Sequence, residues 1–186
     1  MRNMRVFLSH ATNPGHVALS SEVQNALNAW MTATGTERNG VLIGGLALAF
    51  YCKPRYTQDV DMLFLSKAGV PTFVEGFNRN RQGAYEHKKT GVEFELTTPK
   101  SFTPEIPSHT ASKVYASALD YSGLKVASRE GMIALKLFSA GVLKRELGDL
   151  ADVVSLLEGH THINMSGWHL TEEEEKRFKL CLSKHK

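Results

Sequence analysis

Ile43-Gly44-Gly45, followed after thirteen residues by Asp59-Val60-Asp61-Met62, is the stretch of sequence that decides the fold. The apolar run from Val41 to Ile43 predicts a short buried strand, and the Ala- and Leu-rich residues 46–51 predict a helix after the glycines. The second segment begins with alternating polar and apolar residues, which is typical of a strand with one wet face. Asp59 and Asp61 are two residues apart on that strand, so both carboxylates project from the same face.

The two glycines and the two aspartates together predict a site for a phosphate and a metal ion. Gly44 and Gly45 have no side chains where strand passes into helix, so the backbone and the helix N-terminus are open to a phosphate. A divalent cation relieves the repulsion between the carboxylates of Asp59 and Asp61, and Mg²⁺ fits because it prefers oxygen ligands and substrate phosphates. Arg55 precedes the acids and is a candidate contact to phosphate or base, although a solvated loop arginine is an equally good interpretation. This combination is typical of in-line phosphoryl or nucleotidyl transfer.

Neither half of this pattern is specific alone, because Gly-Gly after a strand is usually a tight turn and paired acids are often solvated. Together, an apolar residue, Gly-Gly, a gap, and then Asp, apolar, Asp, apolar resemble the signature of the DNA polymerase β-like nucleotidyltransferase superfamily. The resemblance implies transfer of a nucleoside monophosphate from a nucleoside triphosphate (NTP) such as ATP to an acceptor hydroxyl. It also implies that Asp59 and Asp61 hold Mg²⁺, as two ions, and that Gly44 and Gly45 seat the terminal phosphates.

The same resemblance implies a third carboxylate on a neighbouring strand, for which Glu93 and Glu95 are both candidates. They lie on one strand face but are separated by a rise of about 6.6–6.8 Å, so only one can be level with the aspartates. We prefer Glu95, because the Leu-Thr that follows it resembles the usual end of the family's strand. The resemblance thus predicts Asp59, Asp61 and Glu95 as catalytic residues and metal ligands, with Glu93 as the alternative ligand.

A second resemblance concerns the C-terminal part of the chain. Lys136, then Lys144-Arg145, and then Asp149 and Asp152 are similar in type and order to residues in the helical part of abortive-infection-type nucleotidyltransferase toxins and minimal nucleotidyltransferases. The similarity implies that Lys136 binds the nucleotide by neutralising the triphosphate. A lysine that extends to solvent from an amphipathic helix is the simpler interpretation, and the aspartates could instead pair with Lys144 or Arg145.

The remaining patterns predict an α+β fold of the nucleotidyltransferase type, with a mixed sheet, flanking helices and a C-terminal helical part. Residues 1–127 are expected to form the α/β core with an N-terminal helix, and residues 128–186 a helical part packed on it as one compact unit. Further predicted elements are a capped helix from Ser20 to Gly35, a short helix at Phe73–Phe77, strands at Tyr85–Lys88 and Val92–Thr97, a hairpin of Val114–Leu119 with Leu124–Ala127, and helices starting near Ser128, Gly148 and Thr171.

Composition excludes several classes of protein. The 186 residues favour one domain, and a net charge of +3 from 22 Lys+Arg and 19 Asp+Glu does not by itself indicate nucleic-acid binding. Cys52 and Cys181 stand far apart, which argues against a zinc site. The absence of a signal-peptide pattern and of a long apolar run predicts a cytoplasmic protein that does not enter a membrane.

Two questions stay open at the level of sequence. The acceptor could be RNA, a protein or a small molecule, since this core suits all three. The protein could also be a catalytically inactive nucleotide-binding protein, or one half of a toxin–antitoxin pair with a cognate partner, because Glu stands where the family commonly has Asp. An unrelated α+β protein with a fortuitous acid pair is the remaining alternative.

Overall fold

The fold is built on one mixed β-sheet. The computed structural model describes residues 20–35, 40–52, 57, 59–142, 146–159 and 163–184. Within these residues the strands are β1 Val41–Ile43, β2 Val60–Leu63, β3 Phe77–Arg79, β4 Tyr85–His87, β5 Glu93–Thr97, β6 Leu119–Tyr121 and β7 Leu124–Val126. They form a seven-stranded sheet in the order β3-β4-β5-β2-β1-β7-β6. At its centre, β2 is antiparallel to β1 and parallel to β5, while β1 is parallel to β7.

Six α-helices accompany the sheet in the described residues: α1 Ser21–Thr34, α2 Gly44–Leu48, α3 Ser108–Ala116, α4 Arg129–Val142, α5 Glu146–Leu157 and α6 Glu172–Lys184. Three begin where the sequence predicts, at residues whose side chains accept hydrogen bonds from otherwise unpaired backbone N–H groups. Ser20 Oγ accepts from the N–H of Val23 at 3.3 Å, and Ser128 Oγ accepts from that of Gly131 at 3.1 Å. Thr171 and Glu174 form a reciprocal capping box at the start of α6. The predicted α+β class is confirmed.

Helix α1 covers one face of the sheet through Trp30, which is fully buried. Its indole ring stacks on Phe94 of β5 with ring centroids 4.8 Å apart, and it meets Phe77 of β3 and Tyr85 of β4 edge to face. Large aromatic side chains in these arrangements contribute more than their buried area alone. Because Phe94 lies between Glu93 and Glu95, the side chains of both glutamates lie on the opposite face of the sheet.

Helix α4 organises the C-terminal helices. It packs against α5 and α6 and also contacts α3 and the short helix α2, which follows β1 directly. Most of α4 is buried, including Ile133 and Leu137, which have no exposed surface. Helix α4 therefore connects the helices to the part of the sheet where β1 passes into α2.

Two predicted elements are wrong. Residues 73–77 do not form a helix: Gly76 has φ +85°, which interrupts a helix, and Phe77 pairs with His87 as the first residue of β3. Val114 is in helix α3, not in a strand, because Thr110, Ala111 and Val114 have helical spacing and are buried together. The hairpin itself exists but begins later, at Leu119 of β6.

In the part of the chain that the structure describes, no helix combines the length and the apolar character needed to cross a membrane.

Candidate active site

The turn from β1 into α2 is shaped by Gly44, whose φ is +70°, a conformation that glycine adopts without strain. Its open side faces Asp61 of the neighbouring strand β2. A Cβ atom at position 44 would overlap Oδ2 of Asp61 and lie 2.7 Å from its Cγ. Both the backbone conformation and this contact therefore require glycine, and the Asp61 carboxylate lies directly against the start of α2.

Position 45 requires glycine less strictly than position 44, and a side chain there would face a different part of the chain. A Cβ atom there would lie 3.2 Å from the Cβ and Cγ2 atoms of Thr57, just before β2. Gly44 lines the cleft described below, whereas Gly45 does not. The second glycine thus packs the turn against the segment that leads to the aspartates.

Asp61 and Glu95 lie opposite each other on the parallel strands β2 and β5, as partners in the sheet register. Asp61 is also the partner of Ile43 on the antiparallel strand β1. Both acids line the same cleft with Gly44. The two acids and the glycine turn, distant in sequence, are thus brought together on three adjacent strands.

Asp59 and Glu93 are not brought into this cleft. Asp59 is exposed and precedes the first residue of β2. Glu93 is exposed and accepts a hydrogen bond from Nδ2 of Asn80 at 3.3 Å. It lines a second, wider cleft of about 1170 Å³, which Glu95 lines as well. Of the two candidate third carboxylates, Glu95 is the one level with Asp61.

Lys136 lies on α4 at the edge of the cleft, but two carboxylates already surround its ammonium group. Its Nζ is 2.8 Å from Oδ1 of Asp149 and 2.8 Å from Oδ2 of Asp152, both on α5. The aspartate side chains are only 4% and 5% exposed. The positive charge of Lys136 is therefore already paired with two carboxylates, and its role as a contact to the triphosphate stays a prediction.

The cleft of Asp61 and Glu95 has a volume of about 490 Å³, which is within the usual range for small-molecule sites. Its lining combines apolar and aromatic side chains with charged groups and several hydroxyl groups. The lining residues besides those already named are Thr97, Ser101, Phe102, Thr103, Ile106, Met132, Leu135, Phe138 and Ser139. Sequence reasoning assigned none of these to the site. A signal was present in α4, because Met132, Leu135, Lys136 and Ser139 have the spacing of one helix face.

Three basic residues considered from the sequence, Arg55, Lys144 and Arg145, lie outside the described residues. Within the residues that are described, no group of three or more His, Cys, Asp or Glu side chains is arranged to hold a metal ion. Asp61 and Glu95 are a pair of hard oxygen donors of the kind that Mg²⁺ accepts when substrate phosphates complete its coordination. The donor set therefore fits one such ion, and the assignment of Asp59 and Glu93 as ligands stays a prediction.

The thiol of Cys52, on which the charge of Asp152 acts, is not activated. Burial raises the pKa of Cys52, and the negative charge of Asp152 raises it further. A thiol with a raised pKa is a poor nucleophile at neutral pH. Nothing at this site therefore indicates cysteine chemistry.

Comparison with solved structures identifies the class to which this architecture belongs. The chain is similar to an antigenic nucleotidyltransferase-like protein from Paracoccidioides brasiliensis, with a TM-score of 0.54 and 20% identity over 90% of this chain and 91% of that one. The chain therefore has a nucleotidyltransferase-like α+β fold. A second similarity, to JHP933 from Helicobacter pylori, has a TM-score of 0.39 and 16% identity over 90% of this chain and 95% of that one, which is too low to support an argument.

No protein-family model matches the sequence, and no curated protein matches it significantly. The fold is thus established by structure alone, and membership of the abortive-infection-type branch stays a prediction.

Proposed function

We propose that the protein is a Mg²⁺-dependent nucleotidyltransferase that moves a nucleoside monophosphate from an NTP to an acceptor hydroxyl. The observation that carries this proposal is the pairing of Asp61 with Glu95 in one cleft, directly beside the glycine turn at Gly44. A phosphate-accepting turn and two carboxylates are the groups that such a transfer needs, and the nucleotidyltransferase-like fold supports the same conclusion.

In the proposed reaction, Gly44 and the N-terminus of α2 would receive the phosphates, and Asp61 and Glu95 would hold the metal ion. The bound ion would neutralise phosphate charge and favour departure of pyrophosphate. The acceptor oxygen bonds to the α-phosphorus, and the bond between that phosphorus and the oxygen bridging to the β-phosphate breaks. Glu95 accepts the proton of the acceptor hydroxyl, acting as general base.

The presence of Glu95 in the lining of two clefts supports this role. It lines both the 490 Å³ cleft with Asp61 and the 1170 Å³ cleft with Glu93. The smaller cleft is proposed for the NTP and the wider one for the acceptor. The wider cleft has lysines, an arginine and glutamates along its walls, so its charge does not select among RNA, protein and small-molecule acceptors.

The alternative is a protein of the same fold that binds a nucleotide without transferring it, alone or as the partner of a toxin or antitoxin. Two observations favour it: Asp59 lies outside the cleft, and the described residues contain no three-donor metal cluster. A site with two carboxylates can bind Mg²⁺ and a triphosphate and still lack the second ion of a two-metal mechanism.

A label-transfer experiment tests the proposal. The protein is incubated with Mg²⁺, cell extract and each NTP labelled on either the α- or the γ-phosphate, and labelled products are identified. Transfer from the α-labelled form alone is expected. Glu95→Gln should abolish it, because the change removes both a ligand of the proposed ion and the proposed general base. Glu93→Gln is the matched control on the same strand and should have a mild effect.

The outcomes separate the two functions. If the unmutated protein is stabilised by Mg²⁺ and an NTP but labels nothing, the non-catalytic alternative is favoured. If Glu93→Gln is the more damaging change, the third carboxylate is Glu93, and the register argument for Glu95 fails.

A further inference from the structure

Among the described residues, the carboxylate of Asp149 has one oxygen without a hydrogen-bond partner. Oδ1 accepts a hydrogen bond from Nζ of Lys136 at 2.8 Å. Oδ2 is buried and has no hydrogen-bond partner among the described residues, in a residue that is only 3% exposed. Because an unsatisfied buried oxygen carries a large desolvation penalty, such atoms normally have a partner.

This aspartate lies at the wall of the proposed NTP cleft. Asp149 and Lys136 are among the residues that line it, whereas Asp152, the other partner of Lys136, is not. A free carboxylate oxygen such as Oδ2 of Asp149 repels a phosphate and accepts a hydrogen bond from an N–H or O–H donor. This is the opposite of the triphosphate contact that the sequence suggested for Lys136.

The other groups of the cleft fit a nucleoside between the Lys136–Asp149 wall and the carboxylate pair. Phe102 and Phe138 contribute aromatic rings, with centroids 6.4 Å apart, and the cleft also includes apolar side chains of α4. Apolar and aromatic walls with a few placed polar groups are typical of small-molecule sites. The carboxylate pair and Gly44 line the same cleft and are the groups proposed to receive the phosphates.

We infer that Asp149 recognises the nucleoside part of the substrate, with Oδ2 accepting a hydrogen bond from a sugar hydroxyl or a base N–H group. Lys136 is then a positioning residue that holds Asp149 through Oδ1, and the triphosphate is directed toward Gly44, Asp61 and Glu95. The inference rests on the proposed function, since it concerns the same cleft.

The test compares Asp149→Asn with Asp152→Asn. The ammonium group of Lys136 can only donate hydrogen bonds, so in Asp149→Asn it still donates to the carbonyl oxygen of the new amide. The NH₂ group of the amide then stands where Oδ2 was, and it can donate a hydrogen bond but cannot accept one. Asp152→Asn removes an equivalent charge from Lys136 at an equally buried position outside the cleft, which makes it the matched control. Asp149→Ala, which removes both oxygens, is the second variant, and melting curves establish that each variant folds.

Binding is measured by calorimetry with Mg²⁺ and the four NTPs, their 2′- and 3′-deoxy forms, and inorganic tripolyphosphate. Both Asp149 variants should weaken NTP binding at least about tenfold, which corresponds to ~1.4 kcal/mol, and leave tripolyphosphate binding unchanged. Asp152→Asn should change neither. If a sugar hydroxyl is the donor, the unmutated protein should bind one of the deoxy forms more weakly than the NTP by the same factor. If a base N–H group is the donor, the unmutated protein should prefer some bases over others, and this preference should disappear in Asp149→Asn.

Equal losses in the Asp149 and Asp152 variants would assign both residues a structural role and overturn the inference, as would a parallel loss of tripolyphosphate binding. Normal NTP binding by Asp149→Asn and Asp149→Ala would overturn it while leaving the proposed function intact. An unmutated protein that binds no NTP would overturn the proposed function itself, and this inference with it.

Discussion

Asp61 occupies the space that a side chain at Gly44 would need, so the start of α2 and the middle of β2 are in direct contact. Gly44→Ala should therefore push the carboxylate aside in addition to straining the backbone. The strain alone is worth roughly 1–2 kcal/mol at a left-handed residue. We expect urea unfolding to show a loss of stability larger than this strain alone, and we expect Mg²⁺ and an NTP no longer to stabilise the variant.

Gly76→Ala is the matched control for this change. Gly76 also has positive φ, of +85°, but within the described residues a Cβ atom there would meet nothing within 4 Å. Gly76→Ala should lower stability through backbone strain but leave the stabilisation by Mg²⁺ and an NTP unchanged. Equal effects of the two substitutions on Mg²⁺–NTP stabilisation would mean that the contact between Gly44 and Asp61 does not shape the site.

The number of metal ions bound in the cleft should depend on Asp61 and Glu95. Because these two carboxylates line the cleft and Asp59 does not, we expect about one Mn²⁺ bound per chain in the presence of an NTP. Asp61→Asn should remove this ion, and Asp59→Asn should retain it. Electron paramagnetic resonance of Mn²⁺ measures both. Two bound ions, one of them lost in Asp59→Asn, would show that Asp59 turns into the site when ligand binds.

Lys136 should be important for stability because it compensates two buried carboxylates. Lys136→Met removes the ammonium group that both buried carboxylates face, and breaking a buried pair in this way costs about 3–5 kcal/mol. Lys176 also has two carboxylate partners, at 3.0 Å each, but it is exposed on α6, so Lys176→Met should change stability little. Urea unfolding of the two variants compares them, and similar small losses would contradict the proposed role of Lys136.

His87 should make the fold sensitive to mild acid. Burial, assisted by the positive charge of Lys89, lowers the pKa of His87 from its usual value of 6.5. The unfolded chain then takes up a proton at a higher pH than the folded chain does. The stability present above pH 6.5 is therefore lost as the pH falls from that value through the lower folded pKa.

The effect is measured as the melting temperature between pH 7.5 and 5. His87→Gln should flatten the decline on the acid side, although it also loses the 2.8 Å contact between Nδ1 and Thr90 Oγ1. The slope with pH, and not the absolute stability, is therefore the quantity to compare. An unchanged slope in the variant would show that other groups set the acid sensitivity.

The sequence by itself determined the elements whose signals are local. The buried strand Val41–Ile43, the glycine turn after it and the helix caps at Ser20, Ser128 and Thr171 are each specified by a few neighbouring residues. The prediction of a mixed sheet with flanking helices followed from these patterns and from their resemblance to the nucleotidyltransferase signature. Capping, chain reversal and alternation depend on residues within one or two turns, so they can be seen before the chain is folded.

Only the tertiary structure decided which distant residues meet. The sequence favoured Glu95 over Glu93 only through the Leu-Thr that follows it, and it is the register of β5 on β2 that sets Glu95 beside Asp61. Likewise, the sequence placed Lys136 on an amphipathic helix, but only the packing of α4 against α5 brought two aspartates to its ammonium group. Strand register and helix packing are set by how complete surfaces fit together, and local patterns along the chain do not contain that information.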